Sequence, residues 1–274
     1  MEPTGSDMKV PTGNGVNKPE KVDETNRRIP AVTVEEMREV DRRAVEDFGV
    51  ELAQMMENAG RHLASLARRV LHTAEGKSVS VLVGKGNNGG GVVAARHLST
   101  WGDEVAVILS RDPDELGSTA GRQLETVREM GLLILRPSDP GFLGRARKLM
   151  ERCDLVLDAL IGYGLTGSPR GTAASLIRTA NEVSTPILAL DVPSGLDATS
   201  GEVGRPCIQA SWTLTLALPK TGLLKTDVER VVGELFLADI GIPRQVYEEL
   251  GIEGVFRGGD LVRIRERTGE PVVR

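Results

Sequence analysis

One stretch constrains the fold of this chain more than any other. Val79-Ser80-Val81-Leu82-Val83 runs directly into Gly84-Lys85-Gly86-Asn87-Asn88-Gly89-Gly90-Gly91, and then into Val92-Val93-Ala94-Ala95-Arg96-His97-Leu98. The order is buried strand, glycine-rich loop, first turns of a helix. A near-continuous aliphatic strand is covered on both faces, which is the condition of a parallel sheet. The glycines let backbone approach an anion, and the helix start offers free N–H groups and the positive end of its dipole. The loop is neither G-x-G-x-x-G nor a Walker sequence. Taken alone it also has a plain reading, as a glycine-rich turn between a strand and a helix.

The same alternation continues along the chain. Strands are predicted at Ser78–Val83, Glu104–Leu109, Leu132–Leu135, Asp154–Leu160, Pro186–Val192, Trp212–Ala217 and Glu234–Ala238. Helices are predicted at Gly91–Trp101, Asp114–Met130, Gly141–Glu151, Gly171–Asn181 and Pro243–Leu250. Two helices precede the first strand. Thr33 and Glu36 form a capping box ahead of Val34, Met37, Val40, Ala44 and Phe48 at helical spacing. The second carries Leu52, Met55, Met56, Ala59, Leu63, Leu66 and Val70 on one face, with Arg61, Arg68 and Arg69 expected toward solvent. The pattern predicts an α/β fold with a doubly wound, mostly parallel sheet and helices on both faces. Residues 1–28 are polar and aperiodic and are expected to be a disordered tail; the folded domain is expected over 29–255. A charged, solvated extension is expected over 256–274, where Arg257, Arg263, Arg265 and Arg267 fall.

Composition narrows the class. Of the 274 residues 40% are apolar but only 3% aromatic, so the core must be aliphatic. A formal net charge of -5 argues against nucleic acid or an anionic membrane as partner. Cys153 and Cys207 are far apart in sequence, the N-terminus lacks an apolar signal core, and no apolar run is long enough to span a bilayer. Free thiols and a cytoplasmic protein are the expectation. His62, His72 and His97 show no metal-type spacing and are read as ordinary core or surface imidazoles. With no Walker sequence and no acidic magnesium cluster, phosphotransfer is disfavoured.

Ligands of open α/β sheets bind beyond the carboxyl ends of the strands. Three such ends stand out: Gly84–Gly91, the run from Asp158 through Gly162, Tyr163, Gly164, Leu165, Thr166 and Gly167 to Ser168, and Asp191-Val192-Pro193-Ser194-Gly195-Leu196-Asp197. Singly, Asp158 and Asp191 read equally well as caps, and Pro193–Gly195 as a turn. Together they form a rim of carboxylates, a serine, asparagine amides and backbone N–H groups. Such a rim suits a phosphate-bearing ligand, or a hard monovalent cation held by Asn88, Asp158 and Ser194.

At these residues the chain resembles the YjeF N-terminal domain family, the NAD(P)H-hydrate epimerases. The matching segments are Met56-Glu57-Asn58-Ala59-Gly60, Gly86–Gly90, Ala94–Leu98, Asp158-Ala159-Leu160 with Gly162 and Gly164, Asp191–Asp197, Leu218-Pro219-Lys220 with Gly222-Leu223, and Ala238–Pro243. The resemblance implies a Rossmann-like fold and interconversion of the R and S hydrates of NADH and NADPH (NADHX and NADPHX). It implies a separate dehydratase acting downstream, since the chain ends before a fused one would fit, and it implies a homodimer. It also implies one potassium ion on the positions matching Asn88, Asp158 and Ser194. Hydrate contacts are expected from Asn87, Asn88, Gly89, Gly90 and Gly91, from Gly162 to Ser168, and from Asp191. Breaking and reforming the bond at the hydrated carbon needs a proton acceptor and donor, and Asp191 is assigned that part. Lys85 is a weaker candidate for it. Glu57 and Asn58 either line the pocket or form a hydrogen-bonding pair that holds their helix.

The chain departs from the family at one point. Where the family's loop runs Asn-Asn-Gly-Gly-Asp-Gly, this one has Asn87-Asn88-Gly89-Gly90-Gly91-Val92, one residue shorter at the aspartate. The alternative reading that follows is a nucleotide-binding or scaffold protein of the same fold that carries out no turnover.

Overall fold

The computed structural model describes residues 29–72, 76–86, 89–252 and 261–265. The expectations for the tail, for Asn87 and Asn88, and for the rest of the C-terminal segment fall outside those residues.

Thr33 caps the first helix as predicted. Its hydroxyl accepts from the Glu36 N–H at 3.2 Å while its own N–H donates to the Glu36 carboxylate at 2.7 Å, a reciprocal cap on α1 (Val34–Glu46). Val34, Met37, Val40 and Ala44 are buried on one face. Phe48 does not extend that stripe: the helix has already ended, and the ring is exposed. The second helix, α2 (Leu52–Val70), buries Met55, Met56, Ala59, Leu63 and Leu66 as expected.

Seven strands then follow with helices between them: β1 (Ser78–Val83), α3 (Gly90–Thr100), β2 (Glu104–Leu109), α4 (Ser118–Glu129), β3 (Leu133–Leu135), α5 (Phe142–Arg152), β4 (Leu155–Ala159), α6 (Gly171–Glu182), β5 (Ile187–Leu190), β6 (Trp212–Leu216), α7 (Glu229–Val232), β7 (Glu234–Ala238) and α8 (Arg244–Glu249). Together with β8 (Leu261–Arg265) they form one sheet of order β3-β2-β1-β4-β5-β6-β7-β8. All pairings are parallel except β7 with β8, which is antiparallel. The doubly wound, mostly parallel sheet is as predicted, and the strand order switches direction between β1 and β4, where such folds open their ligand crevice.

Strand alternation sorts the core into two layers. Val79, Val81 and Val83 of β1 pack with α2, α3 and α4, whereas Leu82 faces the layer built with Ala146 and Met150 of α5 and Leu176 and Ile177 of α6. Because both faces are covered, the strands are mostly aliphatic, and polar residues inside them, such as Ser80, Thr213 and Thr215, are buried. Helix α2 packs closely against α3. A Cβ placed on Gly60 would lie 2.4 Å from Val93 Cβ and 2.6 Å from the Gly90 carbonyl oxygen, so only glycine fits there.

Three further expectations are corrected. The C-terminal segment includes an edge strand, β8, whose residues are mostly half-buried against β7, so Leu261–Arg265 is not a solvated face. Arg61 and Arg69 are exposed as expected, but Arg68 is not turned to solvent. Its Nη2 donates to the Trp101 carbonyl at 2.9 Å and its guanidinium stacks 5.4 Å from the Trp101 ring centre. The helix predicted from Asp114 starts at Ser118, because Pro113–Glu115 form a separate 3-10 turn. Cys153 and Cys207 are free thiols. Among the described residues no helix is long and apolar enough to cross a membrane.

Candidate active site

The carboxyl ends of β1, β2, β4, β5 and β6 open onto a cavity of about 1050 Å³. Of the residues expected to contact a ligand, Gly90, Gly162, Tyr163, Gly164, Leu165, Thr166, Ser168 and Asp191 line it. Gly89, Gly91 and Gly167 do not. Gly91 is buried against the sheet instead: a Cβ there would lie 2.5 Å from Ala159 Cβ, so this glycine seats α3 on β4. Gly89 sits under Met56, whose sulfur lies 2.9 Å from where its Cβ would be.

Asp191 follows β5 and is nearly fully buried, with its backbone at φ 67°, in the left-handed region. A non-glycine residue rarely adopts that conformation, and its appearance at a strand end facing a cavity is a mark of functional constraint. The conformation turns the carboxylate between two loops. Oδ2 accepts from the Tyr163 N–H at 3.2 Å, and Oδ1 lies 2.5 Å from Lys220 Nζ. Lys220 is itself buried, donates to the Leu216 carbonyl at 2.9 Å, and sits 5.5 Å from the centre of the Tyr163 ring.

The lysine is held there from a distance. Val32 pairs with it as an isolated parallel bridge; the Val32 N–H donates to the Pro219 carbonyl and the Thr221 N–H to the Val32 carbonyl, each at 2.9 Å. The lead-in to α1 therefore pins the loop after β6. Helix α1 also supplies Asp41, whose carboxylate accepts from the Tyr163 hydroxyl at 2.5 Å. Burial pushes the Asp41 carboxyl above its ordinary range, against the pull of the Tyr163 hydrogen bond. Burial and the adjoining Asp41 charge push the Tyr163 hydroxyl up as well, so it stays a donor. Sequence reasoning gave Lys220 and Asp41 no role. The signal was present for Lys220, a cation at the carboxyl end of an aliphatic parallel strand, but nothing in the local sequence pairs it with Asp191.

Asp158 ends β4, fully buried, and faces Ser194 rather than the cavity. The Ser194 hydroxyl donates to Asp158 Oδ1 at 2.6 Å and the Ser194 N–H to Oδ2 at 2.8 Å. Burial pushes the carboxyl up to about 6, with the Ser194 and Leu160 hydrogen bonds pulling the other way. The Ile161 N–H donates to Ser194 Oγ at 2.8 Å, and the Leu160 N–H to Asp158 Oδ1 at 3.2 Å. Backbone donors of the 158–168 loop that were expected to face a ligand are thus partly taken by Asp158, Ser194 and Asp191. In exchange those side chains hold the loop in place. Among the described residues no group of three or more His, Cys, Asp or Glu side chains forms a metal cluster. Asp158 and Ser194 instead make an all-oxygen pair.

Glu57 and Asn58 fit neither reading as expected: they bond to separate partners rather than as a buried pair, and Glu57 is half-exposed. Neither lines the cavity. Glu57 accepts from Arg96 and lies 2.8 Å from His97 Nε2. Burial opposes its ionisation, but the Arg96 and His97 contacts outweigh that and hold its pKa below the usual range. The Asn58 amide donates to the Ile240 carbonyl at 3.0 Å. Lys85, in the loop after β1, lines the cavity and is exposed.

Comparison with known proteins identifies the family. Residues 52–222 match the family described as YjeF-related protein N-terminus. A NAD(P)H-hydrate epimerase from Dehalogenimonas lykanthroporepellens is 46% identical over 241 residues, covering 86% of this chain and 93% of that protein. Another NAD(P)H-hydrate epimerase, from Rhodopirellula baltica, is 34% identical over 82% of this chain and 90% of its own length. A bifunctional NAD(P)H-hydrate repair enzyme Nnr from Moorella thermoacetica is 39% identical over 78% of this chain, which spans only 41% of that longer protein. The crystal structure of yeast ynu0 superposes with a TM-score of 0.74 at 23% identity, covering 86% of this chain and 100% of that one, a likeness of fold. On these matches the chain belongs to the YjeF-related N-terminal family.

Proposed function

We infer that this chain is an isomerase, the NAD(P)H-hydrate epimerase that interconverts the R and S hydrates of NADH and NADPH in repair of damaged nicotinamide cofactor. The observation that carries the reading is Asp191. Its buried carboxylate reaches the floor of a cavity of about 1050 Å³ from a constrained backbone position, with Lys220 Nζ at 2.5 Å. Epimerisation needs the hydroxyl at the hydrated carbon to leave and return, or the ring to open and close, and either route moves a proton at that oxygen. In the ring-opening route Asp191 accepts the hydroxyl proton as the carbonyl forms and the carbon–nitrogen bonding pair goes to nitrogen, reclosure reverses both steps, and Lys220 balances the carboxylate charge while the proton is away. The Tyr163 ring and the glycine-rich 162–168 loop close over the ring, while Gly90 and Lys85 face the phosphates.

A potassium ion fits the donors beside this floor. Asp158, Ser194 and the Ile161 carbonyl offer hard oxygen ligands, and among the described residues no basic side chain hydrogen-bonds to the buried Asp158. Asn88 would complete the set. The ion would neutralise a carboxylate that burial otherwise disfavours, and so fix the loops after β4 and β5. The reading also places the chain in the cytoplasm, as a homodimer whose S-form product passes to a separate dehydratase.

The second reading, a nucleotide binder without turnover, is favoured by the glycine loop, shorter by the family's aspartate at Gly91. A chiral-column time course on the separated R hydrate of NADPH, with and without potassium, decides between them. The epimerase converts it to the S form much faster than buffer, and Asp191→Ala loses roughly a hundredfold or more of that rate, the usual worth of a positioned acid–base group. A folded parent protein no faster than buffer would leave only the second reading.

A further inference from the structure

The cavity extends beyond the reacting end, across the sheet to β2. Val83 of β1 pairs with Leu109 of β2, and the Ser110 N–H donates to the Val83 carbonyl at 2.9 Å. The chain therefore leaves both strands side by side, and Lys85, Gly86, Ser110 and Arg111 form one end wall of the cavity. Asp191 and Lys220 stand at the other end, after β5 and β6. In a sheet of this strand order a dinucleotide lies across the carboxyl ends, its pyrophosphate at the glycine loop after the first strand and its adenylate ribose beside the end of the next. With the reacting ring at Asp191, that ribose falls at Ser110 and Arg111.

The residues at this end carry a chemical preference. An acidic side chain at the end of the second strand accepts from the free 2′-hydroxyl of an unphosphorylated ribose, whereas an arginine there suits a 2′-phosphate. Here the nearest acidic residue, Asp112, does not line the cavity and accepts instead from the Ser138 hydroxyl at 2.7 Å. Ser110, a buried residue, lines the cavity there, and Arg111 beside it supplies a cation. Among the described residues the Arg111 guanidinium forms an ion pair with Glu115 at 3.5 Å, and both side chains are largely exposed, so that pair is weak. A phosphate dianion that accepts two parallel N–H bonds competes with it readily.

We propose that Ser110 and Arg111 form a subsite for the 2′-phosphate of a nicotinamide dinucleotide, so that the chain selects hydrated NADPH over hydrated NADH. The direction in which the ligand lies rests on the epimerase reading; the anion subsite is tested apart from turnover. Calorimetric titration at fixed ionic strength compares 2′-phospho-ADP-ribose with ADP-ribose, on the full chain and on Arg111→Ala. The parent is expected to bind the phosphorylated ligand at least about tenfold more tightly, the scale of a charge-assisted hydrogen bond, and the variant to bring that ratio close to one. In turnover, Arg111→Ala raises the KM ratio of NADPHX to NADHX by a similar factor. Equal affinity of the parent for the two ligands, or a ratio that survives in Arg111→Ala, overturns the subsite. A parent that shows the binding preference but no turnover sinks the epimerase reading and leaves the subsite standing.

Discussion

Replacing Lys220 by methionine strands a buried charge. The ammonium lies 2.5 Å from Asp191 Oδ1, with side-chain exposures of 1% and 4% for the two residues. Methionine retains much of the lysine stem's volume, so the change removes the cation and its bond to the Leu216 carbonyl while largely sparing the packing. Asp191 then retains one donor, the Tyr163 N–H at 3.2 Å. Removing one partner of a buried ion pair costs about 3–5 kcal/mol, chiefly the penalty of the uncompensated ion. That is a large share of the ~5–15 kcal/mol by which a domain is stable. Equilibrium urea unfolding at neutral pH, followed by the fluorescence of Trp101 and Trp212, measures it. The double variant Lys220→Met, Asp191→Asn carries a neutral amide that needs no cation, and is expected to recover most of the loss. A single variant no less stable than the double would refute the reasoning, because lost packing rather than stranded charge would then account for the effect.

Asp158 makes stability depend on pH. Its carboxyl is pushed from 3.8 in the unfolded chain up to about 6 in the fold, so its stabilising contribution is fully present below about pH 4 and is lost as pH rises through about 6. Two units correspond to about 3 kcal/mol. The parent should lose that much relative to Asp158→Asn between pH 4 and pH 8 in potassium-free buffer, and potassium should restore part of it at pH 8 but not at pH 4; a pH-independent difference would contradict the assignment. Gly84→Ala tests the seam between the first and second glycine loops: its Cβ would lie 1.7 Å from the Leu160 carbonyl oxygen, and backbone cannot swing aside as a side chain can. A loss of about 2–3 kcal/mol and a raised KM are expected, and parent-like unfolding and kinetics would show that the seam opens freely.

Local periodicity made the elements legible. The aliphatic runs at Ser78–Val83 and Leu155–Ala159, the Thr33–Glu36 box and the apolar stripe of α2 each depend on neighbours within a turn or a strand, so they survive translation into structure. The strand β8 was not legible, because Leu261–Arg265 is short and arginine-rich and becomes a strand only where β7 offers a free edge. Phe48 was misread because a helical stripe does not say where the helix stops.

For the site, the sequence by itself determined that Asp158, Asp191 and the glycine loop stand at strand ends, since in a parallel sheet every carboxyl end opens on the same edge. Tertiary structure alone decided their chemistry. It turned Asp158 toward Ser194 and Asp191 toward Lys220, took up backbone donors of the 158–168 loop, and used Gly91 to seat a helix rather than to face a ligand. It also brought Val32, from the lead-in to the first helix, and Asp41, from the helix itself, to a site assembled mainly from residues more than a hundred positions later. The reason is one of range. Periodicity and caps are set by contacts a few residues apart, whereas a buried carboxylate takes whichever donor the packing of distant loops delivers to it, and no local pattern encodes that partner.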